Sequence, residues 1–130
     1  MRRIVGVAPM VALLLCLGAT SHAAGVGVGH RLEIRYPIIR AGQTEPFREV
    51  VINGGPSSIQ VTVFGEVVLP CGGSIDLDPL VQTVPPDGGI ARWNVLFPTQ
   101  AGCTGTYTVT ETVEDQFGQA QDSGTFTATP

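Results

Sequence analysis

Apolar and polar residues alternate along most of the chain after position 29. In residues 30–36 every second side chain is apolar, and the residues between are charged or polar. A period of two places one face of a strand in a core and the other in solvent. The pattern predicts strands at residues 30–36, 47–52, 59–63, 67–69, 90–97, 103–113 and 124–129, and a short one at 80–84 in a loop-rich stretch from 71 to 89.

Glycine and proline separate these runs. The chain contains 17 Gly and 10 Pro, and the turn signals include Asn-Gly-Gly-Pro at residues 53–56 and Pro-Asp-Gly-Gly at 86–89. Gly65 interrupts an alternating run and predicts a bulge or bend. About seven short strands in roughly 100 residues favour an all-β, antiparallel two-sheet sandwich. The length of 130 residues allows one domain.

The first 23 residues have the pattern of a secretory signal peptide. Arg2 and Arg3 precede an apolar run over residues 4–18, and small residues, Ser21 and Ala23, suit the −3 and −1 positions of a cleavage site. We expect cleavage after Ala23, with cleavage one residue later as the alternative. Residues 24–29 then form a flexible Gly-rich linker and residues 30–130 the folded domain. This organisation predicts a secreted or periplasmic protein without a membrane span after processing.

Two cysteines, Cys71 and Cys103, remain after the leader. An even, minimal number of cysteines in an exported chain indicates one disulfide, and two free thiols are the alternative. Residues 24–130 contain five Arg, no Lys and eleven acids, so 5 − 11 gives a net charge of −6. A nucleic-acid partner would require the opposite charge, and that class of function is excluded.

The titratable residues do not indicate an enzyme. His30 is the only histidine after residue 23, and it stands at the edge of the Gly-rich segment as an exposed strand-entry residue. A pair of carboxylates would suffice for glycoside hydrolysis, but a thin sandwich of about 100 residues seldom encloses a substrate cleft. We therefore predict no catalytic residues.

Calcium is the one metal that the sequence leaves open. After residue 23 the chain has one histidine, no methionine and, if the disulfide forms, no free thiol. These residues do not provide a set of soft ligands for zinc or copper. Hard oxygen donors on loops suit Ca²⁺, although no EF-hand spacing is present. The alternative is that these carboxylates are solvated turn residues. The candidates are Asp76, Asp78, Glu114 and Asp115, and no other cofactor is expected.

A threonine ladder is the most unusual surface pattern. If the last two strands pair, their threonines line one exposed face, which suits contact with a protein or a glycan. Threonine also favours strands and keeps an outward face soluble, and that is the structural alternative. The ladder consists of Thr104, Thr106, Thr108, Thr110, Thr112, Thr125, Thr127 and Thr129.

These turns and strands resemble secreted bacterial immunoglobulin-like modules, especially the adhesion-related kind. The resemblance implies an immunoglobulin-like sandwich with a binding or spacer role. The chain departs from antibody-type domains because Tyr107 follows the second cysteine, so the disulfide is expected to join a loop to a strand without crossing the core. The matching segments are A-G-Q-T at residues 41–44, V-V-I-N-G-G at 50–55, V-T-V at 61–63, P-D-G-G at 86–89, G-T-Y-T-V at 105–109 and D-Q-F-G at 115–118.

The sequence thus predicts a non-enzymatic secreted module that acts by surface contacts with a protein or glycan at the cell envelope. One alternative is a self-assembling envelope or pilus-type subunit that uses edge-strand pairing. The other alternative is a small carboxylate-dependent enzyme.

Overall fold

The computed structural model describes residues 25–130. The signal peptide predicted at residues 1–23 lies outside these residues. The described part consists of strands and turns, and none of it forms a helix that is long and apolar enough to cross a membrane. Its strands are β1 (Gly29–Ile34), β2 (Ile38–Arg40), β3 (Thr44–Asn53), β4 (Ile59–Val68), β5 (Ser74–Val84), β6 (Gly89–Pro98), β7 (Gly105–Asp115) and β8 (Gly118–Thr129).

The strands form two sheets. The smaller has the order β1-β3-β6, and the larger has the order β2-β8-β7-β4-β5. All pairings are antiparallel except that of β2 with β8. The first part of the chain joins both sheets, because β1 pairs with β3 and the short β2 pairs with β8.

The predicted all-β sandwich is confirmed, but four strands differ from prediction. β2 was not predicted, β4 joins the strands predicted at residues 59–63 and 67–69, and β5 and β8 are longer than predicted. β5 spans Ser74–Val84 where a loop with a short strand was expected. Its register with β4 shifts between Val63 and Gly65, which is the irregularity that Gly65 predicted. β8 begins at Gly118, six residues before the predicted start at residue 124. The sequence did not indicate its first half because Ala120, Asp122 and Gly124 stand where a half-buried strand usually has large apolar residues.

The core between the sheets consists of two apolar clusters. Tyr107 stacks on Phe126 at a centroid distance of 4.9 Å and meets Phe97 edge-on at 6.1 Å. The first cluster contains Ile39, Phe47, Val67, Phe97, Cys103, Tyr107, Val109, Phe126 and Ala128. The second contains Val28, Val51, Val61, Val63, Val84, Ala91, Trp93 and Val113.

The Gly-rich segment before β1 differs from the flexible linker that the sequence predicted. Val28 is buried in the second apolar cluster. The backbone N–H of Gly27 donates a hydrogen bond of 2.8 Å to Oδ2 of Asp115, and the ring of Phe117 lies over Gly27. Residues 25–29 therefore pack against the β7–β8 end of the sandwich, because the valines between the glycines have apolar surface to bury.

The disulfide joins Cys71 to Cys103. Cys71 lies in the turn between β4 and β5, and Cys103 lies in the connection between β6 and β7. The bond therefore links two loops at one end of the sandwich. It does not cross the core, as predicted, but the expected link from a loop to a strand is wrong, because Cys103 lies two residues before β7. Gly72 and Gly73 permit the β4–β5 turn, since both have positive φ angles, of 111° and 81°.

Candidate functional site

The two apolar clusters are separated by a polar group of four side chains, which we call the interior cluster: His30, Glu49, Glu111 and Asp122. On β3, Glu49 lies between Phe47 of the first apolar cluster and Val51 of the second. On β7, Glu111 holds the equivalent place between Val109 and Val113. Alternate residues of a strand face the same side of the sheet, so Glu49 and Glu111 point toward the opposite sheet like their apolar neighbours. Two carboxyls are therefore part of the core.

The other two members lie nearer the open side of the sandwich. Asp122 of β8 is the cross-strand partner of Glu111. His30 belongs to β1 in the smaller sheet and reaches across to Asp122, with 2.7 Å between Nδ1 and Oδ2. The side chains of His30 and Asp122 are each 20% exposed, whereas that of Glu49 is fully buried. The cluster therefore has a closed inner side and an outer side that solvent reaches.

Glu49 is the least satisfied member of the interior cluster. Its Oε2 lies 3.8 Å from Nδ1 of His30, and within residues 25–130 no hydrogen-bond donor reaches either of its oxygens. A proton on Glu49 changes this arrangement, because the neutral carboxyl donates a hydrogen bond to Asp122. Burial and the negative charges of Asp122 and Glu111 raise the pKa of Glu49 to about 10.

Burial also changes the other two carboxyls. Burial, with the charge of Asp122 nearby, raises the pKa of Glu111 to about 7. For Asp122 burial acts in the same direction, but the hydrogen bonds with Glu49 and His30 outweigh it and lower the pKa. At neutral pH Asp122 is therefore ionised and Glu49 holds its proton, while Glu111, with a pKa of about 7, is partly ionised.

Two glycines allow neighbouring strands to approach closely, one beside Glu111 of the interior cluster and one beside β1. A Cβ on Gly65 would lie 2.3 Å from the carbonyl oxygen of Thr110 and 2.5 Å from Oε1 of Glu111. A Cβ on Gly124 would lie 2.8 Å from Cδ1 of Ile34. The bulge at Gly65 therefore lets β4 pass close to Glu111, and Gly124 lets β8 pass close to Ile34 of β1.

A third buried acid, Glu45, lies at a different place. Its Oε2 accepts a hydrogen bond of 2.8 Å from the backbone N–H of Tyr36, which holds the link between β1 and β2. Burial raises the pKa of Glu45, and hydrogen bonds from the backbone of Tyr36 and Arg35 partly offset that effect. Glu45 thus closes a turn in the backbone and has no contact that suggests a ligand.

The calcium candidates are spread over two strands and do not form one group. Asp76 and Asp78 lie within β5, where loop positions were expected, and Asp76 faces Glu66 across the strand pair. Glu114 and Asp115 end β7. Asp115 accepts backbone hydrogen bonds from Gly27 and Phe117, so it is a turn residue with its own partners.

The threonine ladder is largely as predicted. On the outer face of the larger sheet Thr106 is paired with Thr127, and Thr108 with Thr125. Two predicted members differ: Thr104 precedes β7, and Thr112 is only 5% exposed. The remaining ladder, which we call the threonine face, consists of Thr106, Thr108, Thr110, Thr125, Thr127 and Thr129.

Sequence reasoning missed the interior cluster although its signals were present. His30 was expected to be exposed, yet it is half-buried and bonded to Asp122. In β7 the odd-numbered residues face the core, and Glu111 is the acid among them. The signal at Glu49 was its place two residues from Phe47 and from Val51. A polar residue at an inward position of a regular strand requires a partner, and that requirement indicates a cluster.

Comparisons with known proteins identify the fold. No protein-family model matches the chain, and no curated protein is significantly similar to it. Among solved structures it is similar to a family 123 glycoside hydrolase from Clostridium perfringens, with a TM-score of 0.61 and 10% identity over 80% of this chain. It is also similar to the alkylpurine DNA glycosylase AlkC of Pseudomonas fluorescens, with a TM-score of 0.59 and 13% identity over 82% of this chain. The chain spans 27% and 31% of those two proteins.

A third structure matches over nearly its whole length. The CARDB domain of a Pyrococcus furiosus protein, solved in complex with di-metal ions, has a TM-score of 0.52 and 14% identity, covering 84% of this chain and 95% of that one. Near the start of β7, the hydroxyl of Tyr107 donates a hydrogen bond of 2.7 Å to the carbonyl oxygen of Cys103. Such a bond from a tyrosine back to the preceding corner recurs in immunoglobulin-like sandwiches. The chain is an immunoglobulin-like sandwich with one disulfide.

Proposed function

We propose that the chain is a non-enzymatic binding module of a secreted or periplasmic protein, and that it binds through its threonine face. The observation that carries this proposal is the register of β7 and β8, which aligns Thr106 with Thr127 and Thr108 with Thr125. Neighbouring strands are about 4.8 Å apart, and alternate residues along a strand are about 6.8 Å apart. The face therefore offers a regular, nearly flat array of methyl and hydroxyl groups.

The surroundings of the threonine face support contact with a partner. Ile38, the β2 residue paired with Thr127, is 68% exposed, and Val68, paired with Thr108, is 42% exposed. Exposed apolar groups among small hydroxyls suit a flat protein surface or the face of a glycan chain. The fold class is shared by many binding modules, which supports the proposal by analogy.

The disulfide and the predicted leader support the proposed compartment. A stable bond between Cys71 and Cys103 requires an oxidising environment, as in the periplasm or outside the cell. The leader predicted at residues 1–23 agrees with export. The likeness to a glycoside hydrolase and a DNA glycosylase does not extend to their activities here, because this chain spans less than a third of either protein.

Assembly through edge strands is the weaker candidate. β5 forms an edge of the larger sheet, but Pro79 lacks a donor for strand pairing, and Asp76 and Asp78 place charges on the same edge. The register shift beside Gly65 further disturbs this edge. Charges, proline and bulges are the usual devices that prevent edge-to-edge pairing.

The test is a crosslinking pull-down of the tagged protein from fractionated envelopes of the host, followed by mass spectrometry. The wild type is expected to recover a reproducible envelope component. The double variant Thr108→Arg/Thr125→Arg should reduce this recovery at least about 10-fold, because two large charges at facing positions prevent close contact. Asn94→Arg, an exposed change on the outer face of the smaller sheet, is the control and should leave recovery unchanged.

Three outcomes would contradict the proposal. Unchanged recovery with the double threonine variant would place the contact elsewhere. Equal loss with Asn94→Arg would show that any added arginine disturbs the protein. Recovery of multimers of this chain alone would favour assembly through strand edges.

A further inference from the structure

The interior cluster contains more hydrogen-bond acceptors than the described residues provide donors for. Glu49 is fully buried, and no donor in residues 25–130 reaches either of its carboxyl oxygens. In the metal-free protein its one polar contact is the hydrogen bond that its own proton donates to Asp122. Its Oε2 points to the side on which His30 and Asp122 meet. Glu45, the other buried acid with an unpartnered oxygen, has a backbone donor from Tyr36 on its Oε2, whereas Glu49 has a donor on neither oxygen. A buried polar group that the protein leaves unpartnered calls for a specific explanation.

The three side chains are close enough to share one cation. One ligand atom from each of His30, Glu49 and Asp122 can be chosen so that all lie within 4.8 Å of one another. Around a tetrahedral ion, metal–ligand bonds of about 2.0–2.2 Å place the ligand atoms about 3.3–3.6 Å from one another. A small rotation of the side chains therefore suffices to surround an ion, and the partly exposed His30 and Asp122 provide its path from solvent.

The chemistry of the donors selects the class of ion. An imidazole nitrogen with carboxylate oxygens suits the divalent transition metals, whereas Ca²⁺ and Mg²⁺ prefer oxygen ligands alone. We propose that His30, Glu49 and Asp122 bind a divalent transition-metal ion, with Zn²⁺ as the ion that fits best. Glu111, the cross-strand partner of Asp122, supplies additional negative charge beside the site.

Such an ion would link the two sheets. His30 and Glu49 belong to β1 and β3 of the smaller sheet, and Asp122 belongs to β8 of the larger one. A ligand that binds only the folded state stabilises it in proportion to the logarithm of its concentration over its Kd. The site therefore acts as a structural clip that holds the sandwich closed beside β1 and β8.

The test uses the full chain after treatment with EDTA and dialysis. Isothermal titration with ZnCl₂ should give one Zn²⁺ per chain with a Kd in the micromolar range or below. At 100-fold excess over the Kd, the melting temperature should rise by roughly 5–15 °C. Millimolar CaCl₂ should give no comparable shift.

The variants separate this site from the other acids. Glu49→Gln and Asp122→Asn keep the shape of the side chain, and His30→Gln removes the nitrogen ligand. Each should weaken Zn²⁺ binding at least about 10-fold while the metal-free protein stays folded. Asp76→Asn and Glu114→Gln change exposed acids outside the interior cluster and are the matched controls, which should bind Zn²⁺ as the wild type does.

The proposal is overturned if the wild type shows no saturable binding of one Zn²⁺, or if Glu49→Gln and Asp122→Asn bind Zn²⁺ within about twofold of the wild type. The second result would assign the zinc to an adventitious surface position. A thermal shift with Ca²⁺ that equals or exceeds the shift with Zn²⁺ would also overturn it, since that preference belongs to an oxygen-only site.

Discussion

The free energy of unfolding of the metal-free protein should fall as the pH rises from 5 to 9. Glu49 and Glu111 have ordinary pKa values of 4.5, and in the folded protein these are raised to about 10 and about 7. Between the two values of each group, the folded state holds a proton that the unfolded state has released. The stabilisation by each proton is complete below pH 4.5 and is lost as the pH rises through the folded pKa.

The size of this effect sets it apart from ordinary surface titration. Each group changes the stability by at most about 1.4 kcal/mol per pH unit. Both groups contribute between pH 5 and 7, and Glu49 alone contributes from 7 to 9. We expect a total loss of about 2–4 kcal/mol between pH 5 and 8, less than the ideal sum because the buried site relaxes. Below pH 5 the lowered pKa of Asp122 acts in the opposite direction, so stability should be greatest in mild acid.

Urea unfolding in the presence of EDTA measures this dependence. Trp93 is the only tryptophan and is 3% exposed, so its fluorescence reports unfolding. Glu49→Gln is the informative variant, because its neutral amide has no proton to lose and should remove the slope above pH 7. Wild-type stability that is flat or rises from pH 5 to 8 would contradict the prediction, as would an unchanged slope in the variant.

Removal of the disulfide should cause the second large effect. Cys71 and Cys103 are separated by 32 residues, and in the chain-entropy model the closure of such a loop contributes roughly 3.5–4 kcal/mol. Cys103 is 2% exposed and packs in the apolar cluster of Phe97 and Tyr107, so its replacement also loses packing. The double variant Cys71→Ala/Cys103→Ala should therefore melt about 10–20 °C lower than the wild type.

The same loss should appear without mutation. Reduction of the wild type should lower the melting temperature by nearly the same amount, and reductant should have no effect on the double variant. A double variant that melts within about 2 °C of the wild type would show that the two loops are held by packing and that the covalent bond is dispensable.

The sequence predicted the sandwich because strand period and turn chemistry are local. The alternation in β1, β6 and β7 and the glycine at the β4 bulge are all visible within a few residues. β5 was missed because it is an edge strand whose two faces are both largely exposed, and because Pro79 and the adjacent Leu80 and Val81 interrupt its alternation. The first half of β8 was missed because its inward residues, Ala120, Asp122 and Gly124, are small or charged and give no apolar alternation.

The interior cluster depends on contacts that are distant in sequence. His30 and Asp122 are 92 residues apart, so no local motif connects them. The sequence shows two inward acids, Glu49 and Glu111, but their proximity follows only when the two sheets stack. His30 was predicted to be exposed because it follows a glycine-rich segment. The first half of β8, which covers His30, was not predicted.

The central claim is that four polar side chains form a buried layer between the two apolar clusters. Carbon-13 NMR of the glutamate carboxyls in the EDTA-treated protein tests it most directly, with Glu49→Gln to assign the Glu49 signal. Our account predicts that this signal keeps the chemical shift of a protonated carboxyl from pH 5 to 8, since the pKa of Glu49 is raised to about 10. A Glu49 signal that titrates near its ordinary pKa of 4.5 would show that water reaches the carboxyl and would contradict the account.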